Sequence, residues 1–474
     1  MKLAAELLLL TWFGTTAAHA QIASFQHVIV IVQENRTPDN LFQGLCKPPH
    51  GAKTLCSTTP TGSQYNIQTG SWLDKHSSGG SIHPTPVPLA NKYDLSHAHS
   101  AFVKMCDADS ATGICTMDGA GDIACSGICP PKPQFKFVSN SAGVLNPYLE
   151  LARQYGWANY MFQTNQGPSF PAHQFLFGGT SAPSAADDAA GIFASENMSG
   201  ASSIAGCAAP TGTTVELINP SSGENQKVYP CFEHQTIADL LPPGFTWRYY
   251  TPGAGSIWTA PNAIQHICQS TGPGGTCAGQ QWSDNVDLTP SHVLTDIANC
   301  NLRFVSWVVP TGANSDHARG NDGGGPSWVA SIVNAIGNST TCDGNTGYWG
   351  NTAIFITWDD WGGWYDHEPP TILALPQGDY QYGFRVPLVV VSAYTPMGYI
   401  NNNRHDFGSI LRFIEQNFGI PEGALNFSDA RAASDLTGFF NLGQAPRSFK
   451  NISARKDASF FINDKRPATD PDDQ

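Results

Sequence analysis

Four clusters of carboxylates, carboxamides and imidazoles stand out along the chain, each after an apolar run. Glu34 and Asn35 follow "HVIVIVQ", with Arg36 next; Ser315, Asp316 and His317 come after "LRFVSWVVP". Asp359 and Asp360 close "NTAIFITWDD", and "WGGWYDH" then brings Asp366 and His367. His405 and Asp406 come a loop after "VPLVVVSAY". One polar strand end means little, because Asp and Asn are ordinary turn residues. Three or four converging on one rim would supply the oxygen and nitrogen donors that hold a divalent cation. A strand-end turn accounts for the residue types of Glu34 and Asn35, but not for their company.

Phosphoryl transfer at such a cation also needs a nucleophile. "TNQGPSFPAHQFLFGG" offers Ser169, two residues before Pro171, which suits the first turn of a helix. Ser169 would then stand at or just before the positive end of that helix, where an anion is favoured. A serine there also serves as a plain N-cap. The two roles are compatible, and the nucleophilic one requires Ser169 to face the metal.

The elements that must position these groups are legible from patterning. The four apolar runs are rich in Val, Ile and aromatics, are of strand length and do not alternate. That is the signature of central strands covered on both faces, hence a mainly parallel sheet flanked by helices. In such sheets ligands bind beyond the carboxyl ends of the strands. "NPYLELARQYG" and "DFGSILRFIEQNFG" carry helical apolar stripes, and Gly419 is placed to end the second. The expectation is one α/β domain over residues 21–445. Long loops at 43–92 and 106–134 interrupt it. A tail at 446–474 follows, its final "KRPATDPDDQ" expected to be disordered.

The start of the chain, "MKLAAELLLLTWFGTTAAHAQ", has a basic residue, an apolar run and the small-x-small pattern Ala18-His19-Ala20. Residues 1–20 therefore read as a secretory signal, with Gln21 opening the mature chain. No other apolar run approaches transmembrane length. All 12 Cys lie after that point, an even number that permits disulfides in an exported chain. Cys46/Cys56, the group Cys106, Cys115, Cys125 and Cys129, and Cys268/Cys277 are close enough to staple loops. Zinc binding by "CSGIC" is the weaker alternative. The formal net charge of -14, with no basic stripe, argues against nucleic acid as a partner.

Seven segments in this order resemble one family: "VIVIVQENRTPDNLF", "DLSHAHSAF", "NQGPSFPAHQFLFGGTS", "VSWVVPTGANSDH", "TWDDWGGWYDHEPP", "GFRVPLVVVSAY" and "HDFGSILRFIEQNFG". Together they are similar to the secreted phosphoesterases that include bacterial phospholipases C and related acid phosphatases. The resemblance implies a core like that of alkaline phosphatases and sulfatases. It implies that Glu34, Asn35, Asp359 and Asp360 bind metal, that Ser169 forms the phospho-enzyme, and that His97 and His317 line the phosphate site. Arg36, Asp316, His367 and His405 fall within matching segments without an implied role. The chain departs from the phospholipase pattern at Thr37-Pro38 and in having Asp360 where Glu is frequent.

The resulting expectation is a secreted hydrolase of phosphoric esters using a divalent metal ion. A phosphomonoesterase of acid-phosphatase type is set first, and a phospholipase C second. A bilayer-active enzyme needs an exposed apolar rim. Trp358, Trp361, Trp364 and Tyr365 could form one, but core packing is the commoner fate of such residues. A non-catalytic binding protein would have lost one of the five central residues, and all five are present. A sulfatase would need an Arg that "PSFPAH" lacks.

Overall fold

The computed structural model describes residues 24–469, apart from 201–203, 222 and 376–377. The stretch read as a secretory signal and residues 470–474 lie outside the described residues. Eight strands make the central sheet: β1 (His27–Gln33), β2 (Gly156–Met161), β3 (Trp247–Tyr250), β4 (Val286–Asp287), β5 (Val305–Val308), β6 (Thr352–Trp358), β7 (Leu388–Val391) and β8 (Tyr399–His405). Their order is β4-β3-β5-β1-β6-β7-β2-β8. All seven residues of β1 are buried, as its unbroken apolar run requires of a central strand.

Neighbouring strands are parallel except where β7 meets β6 and β2. The expected mainly parallel sheet is therefore present, with one correction. The fourth apolar run is the antiparallel strand, so its own carboxyl end points away from the rim. His405 reaches the rim's side because β8 brings the chain back parallel. A short strand buried on both faces reads alike in either direction, so the sequence pattern could not show this.

Four of the longer helices are α1 (Asn146–Gln154), α2 (Ser169–Gly178), α3 (Gly325–Gly337) and α4 (Phe407–Asn417). Register places Val30, Trp307 and Phe355 in one row across the sheet. On that face Phe177 of α2 packs on Trp307 at 5.1 Å, and Phe413 of α4 on Phe355 at 4.9 Å. Trp358 points to the other face, where it meets Tyr148 of α1 at 5.1 Å. Asp406 caps α4 with a reciprocal bond to Ser409, and Gly419 follows its end in the left-handed region.

Six disulfides use all twelve cysteines: Cys46–Cys56, Cys106–Cys115, Cys125–Cys129, Cys207–Cys231, Cys268–Cys277 and Cys300–Cys342. The zinc alternative at Cys125 and Cys129 falls, since neither sulfur is a thiolate. Among the described residues no helix is long and apolar enough to cross a membrane. The described part of the tail lies on the domain. Asn334 of α3 bonds the Ile452 carbonyl at 2.9 Å, and Phe461 packs on Trp328 at 5.2 Å. Even inside "KRPATDPDDQ", Arg466 bonds Asp464 and the Thr469 carbonyl accepts from Gly312 at 2.7 Å.

Candidate active site

β1 and β6 run in parallel register from His27 opposite Thr352 to Gln33 opposite Trp358. The pairing continues past both strand ends: Asp359 N donates to Gln33 O at 2.9 Å, and Arg36 N to Asp360 O at 3.0 Å. Glu34-Asn35 and Asp359-Asp360 are thereby set side by side. Glu34 and Asp359 continue the row of Val30 and Phe355, on the face that α2 covers. Asn35 turns the chain with φ 61°, a left-handed conformation that Asn tolerates better than most residues. Gly362 passes against it so closely that a Cβ would lie 2.6 Å from the Asn35 carbonyl oxygen. That contact, with φ +63° at Gly362, explains the glycine after the acid pair.

The side chains form one connected, buried group. The Asp359 carboxylate accepts from Asn35 N at 3.0 Å, and the Asn35 amide donates to His97 Nε2 at 3.1 Å. His97 Nδ1 bonds the Leu95 carbonyl at 2.9 Å, and its ring lies 5.9 Å from that of His317. His317 Nδ1 donates to the Ala318 carbonyl at 2.7 Å. Ser169 is the first residue of α2, and its hydroxyl donates to Asp360 at 3.2 Å instead of capping the helix. The plain N-cap role does not apply. Asp360 also accepts from Gly362 N at 2.6 Å, so its carboxylate is turned to the serine and the glycine loop.

His173, one turn along α2 from Ser169, was not singled out from the sequence. Its Nε2 lies 3.4 Å from Glu34 and 3.7 Å from Asp359, and all three side chains are fully buried. The signal available was the i, i+4 spacing of Ser169 and His173, which puts both on one helix face.

The groups without an implied role separate from this centre. Arg36 is fully buried, donates to the Asp316 carbonyl at 2.8 Å and stacks on Trp364 at 4.7 Å. The Asp316 carboxyl accepts from Tyr148 at 2.8 Å and from Trp358 at 3.0 Å, and burial pushes it up to about 6 against the pull of Arg36. His367 belongs to a second cluster with Asp39 and Asp366. His405 bonds Ser434 at 2.9 Å, and burial lowers it to about 4. Trp358, Trp361, Trp364 and Tyr365 are all fully buried, so core packing is their fate. Asn165 and Gln166, just ahead of Ser169, line a cavity of about 320 Å³ with His99, Phe193 and Tyr380.

Residues 25–421 match the phosphoesterase family, and the chain belongs to it. Non-hemolytic phospholipase C of Pseudomonas aeruginosa is 28% identical over 230 residues, 43% of this chain and 32% of that protein. Phospholipase C A of Mycobacterium tuberculosis is 26% identical over 243 residues, 45% of each chain. Non-specific phospholipase C6 of Arabidopsis thaliana is 25% identical over 142 residues, 26% of each. The aligned region spans less than half the length of these relatives. A solved structure in the alkaline phosphatase superfamily from Vibrio parahaemolyticus overlaps with a TM-score of 0.31 at 13% identity, covering 58% of this chain and 61% of that one. Overlap at that level carries no weight here, and the α/β assignment rests on the sheet itself.

Proposed function

We propose that the protein is a metal-dependent phosphoesterase in which Ser169 attacks phosphorus, acting on phospholipid diesters as a phospholipase C. The observation that carries the chemistry is Ser169, held by Asp360 at the rim that also presents Glu34, Asn35 and Asp359. The choice of a diester is supported by the relatives, which are named phospholipases C. The monoesterase reading stays open on one observation: the aromatics beside the acid pair are buried, so they offer no apolar rim to a bilayer.

The residues fit a divalent cation. Asn35 Oδ1 and Asp359 Oδ2 are buried without a hydrogen-bond partner, an arrangement that is costly unless something else meets them. Glu34, Asn35 and Asp359 would hold the ion, with Asp360 beside them. When bound, such an ion supplies positive charge that favours the serine alkoxide and the charged phosphoryl oxygens.

Asp360 orients the Ser169 hydroxyl and is placed to take its proton as the oxygen attacks phosphorus. The helix end helps less than the sequence implied. Phe170 N–H donates to Asn197 at 3.0 Å and Pro171 has none, leaving the Ser169 amide and the helix dipole. His97 accepts from the Asn35 amide while its Nδ1 faces a carbonyl, so it is neutral and orients Asn35. His317 keeps its Nδ1–H on a carbonyl, and Nε2 is the ring atom that would protonate the leaving alcohol. Water then cleaves the seryl phosphodiester, releasing the phosphomonoester head group and restoring the serine hydroxyl. The disulfides support an oxidising compartment and hence export.

The test is hydrolysis of p-nitrophenylphosphorylcholine and p-nitrophenyl phosphate, with and without chelator, beside Ser169→Ala. Preference for the diester, abolished by chelator and by the substitution, supports the proposal. Preference for the monoester moves the assignment to a phosphatase. Turnover that survives Ser169→Ala overturns the mechanism.

A further inference from the structure

His173 is set by a contact that fixes which of its nitrogens carries hydrogen. Its Nδ1 lies 3.2 Å from the Tyr249 hydroxyl, and that hydroxyl already donates to the Trp258 carbonyl at 2.8 Å. The Tyr249 oxygen can therefore only accept from His173, which places the imidazole hydrogen on Nδ1. In the neutral ring Nε2 then carries a lone pair, and it faces the Glu34 and Asp359 carboxylates in a fully buried site. A lone pair facing anions is unfavourable unless a cation lies between them.

The spacing agrees with a cation there. At 3.4 Å and 3.7 Å, both contacts are longer than the 2.7–2.9 Å usual for a charge-assisted N–H to carboxylate bond. Donors around one tetrahedral ion with bonds of about 2.0–2.1 Å stand about 3.4 Å apart. The outer contact also fits, since a metal-bound histidine generally gives its other N–H to a fixed acceptor that holds the ring. Tyr249, anchored to Trp258, is that acceptor.

We infer that His173 is a nitrogen ligand to the ion held by Glu34 and Asp359, which suits the site to a borderline transition metal such as zinc. The inference rests on the metal-dependent reading given above. Without His173, the candidate donors are all oxygens, the set that suits calcium, magnesium or manganese. An imidazole at the centre shifts the preference toward zinc, and α2 delivers it one turn from Ser169. One short helix would thus supply both the nucleophile and the ligand that chooses the metal.

The test is competitive titration of chelator-treated full chain with zinc and with calcium, using wild type, His173→Ala, His173→Gln and Tyr249→Phe. Zinc affinity should fall at least about 100-fold on loss of the imidazole and about 10-fold in Tyr249→Phe. Calcium affinity should change by less than about 10-fold, since its ligands are oxygens. If His173 were instead a protonated counter-ion to Glu34 and Asp359, removing it would leave zinc binding unchanged or tighter. That outcome overturns the inference while leaving a metal site in place. A wild type that binds neither ion overturns the metal reading as well. Should the variants fail to fold, X-ray absorption of zinc-loaded wild type decides, because absence of imidazole scattering around the zinc overturns the assignment directly.

Discussion

Two clusters in this protein contain the same ingredients, and they are not the same kind of object. Glu34, His173 and Asp359 form one; Asp39, Asp366 and His367 form the other. In the second, Arg385 grips Asp366 with two bonds of 2.8 and 3.0 Å and spends its remaining nitrogen on the Asn66 and Asn159 carbonyls. Asp39 accepts from Gln68 N at 2.8 Å and from His367 Nδ1 at 2.7 Å, and His367 Nε2 meets Asn66 Oδ1 at 2.9 Å. The positive charge is built into the protein, and the donors and acceptors close on one another. In the first, the group set against the carboxylates is an imidazole, and Asp359 Oδ2 and Asn35 Oδ1 lack hydrogen-bond partners. A cluster already neutralised by arginine is a clamp, whereas one whose carboxylate and carboxamide oxygens lack partners is the candidate metal site.

The clamp has a place beside the site. Asp39 and Asp366 lie a few residues beyond Glu34-Asn35 and Asp359-Asp360, on the same two segments. Arg385 NH2 is 3.7 Å from Asp39, and Thr37 donates to the Tyr365 carbonyl at 2.7 Å. The two loops that bear the site residues are thus tied together just past them.

The comparison can be broken most severely by chemistry. Asp360→Ala should lower turnover of p-nitrophenylphosphorylcholine by at least about 10³-fold while leaving the circular dichroism spectrum unchanged, since Asp360 accepts from the hydroxyl of Ser169, the proposed nucleophile. Full activity in this variant would detach the acid pair from Ser169. Next in size, Arg385→Met leaves Asp366 buried without the guanidinium that grips it. It should cost about 3–5 kcal/mol of stability in urea unfolding. A change below 1 kcal/mol would mean that the guanidinium is not the charge the clamp depends on.

Buried histidines sharpen the contrast through pH. Burial lowers His405 from 6.5 to about 4, so the unfolded chain takes up its proton first as pH falls. Stability should drop between about pH 6.5 and 4, by roughly 3 kcal/mol from this group, and His405→Gln should flatten that slope. His367 behaves oppositely. Burial opposes its charge, but Asp39 more than compensates and raises it. Its contribution is complete below pH 6.5 and is lost as pH rises through the folded value. The stability gap between wild type and His367→Gln should therefore narrow toward high pH. A gap that widens would contradict the ion pair with Asp39.

Much of the candidate site was legible because parallel strands end together. "HVIVIVQ" and "TAIFITW" read as central strands, and their polar ends had to meet if the strands were neighbours. The glycines of "WGG" were visible, but not the reason for Gly362, which is a backbone approach to Asn35. The direction of β7 was hidden, because burial on both faces leaves no directional mark. His173 is masked in the sequence because a histidine within "FPAHQFLFGG" reads as part of an apolar helix. Only the position of α2 against β1 and β6 brings its ring to Glu34. The two acidic clusters could not be told apart from the sequence either, since Arg385 lies far along the chain from Asp39.

The most direct measurement is urea unfolding of wild type, Asp359→Asn and Asp366→Asn, each with chelator and with saturating zinc. Without metal, Asp359→Asn should be at least as stable as wild type, because it removes one of several crowded negative charges. Metal should then stabilise wild type by about 2.7 kcal/mol at a hundredfold excess over its dissociation constant. It should stabilise Asp359→Asn hardly at all. Asp366→Asn should be destabilised in both conditions and still respond to metal. Equal destabilisation of Asp359→Asn and Asp366→Asn, with no response to metal in wild type, would contradict the distinction between site and clamp.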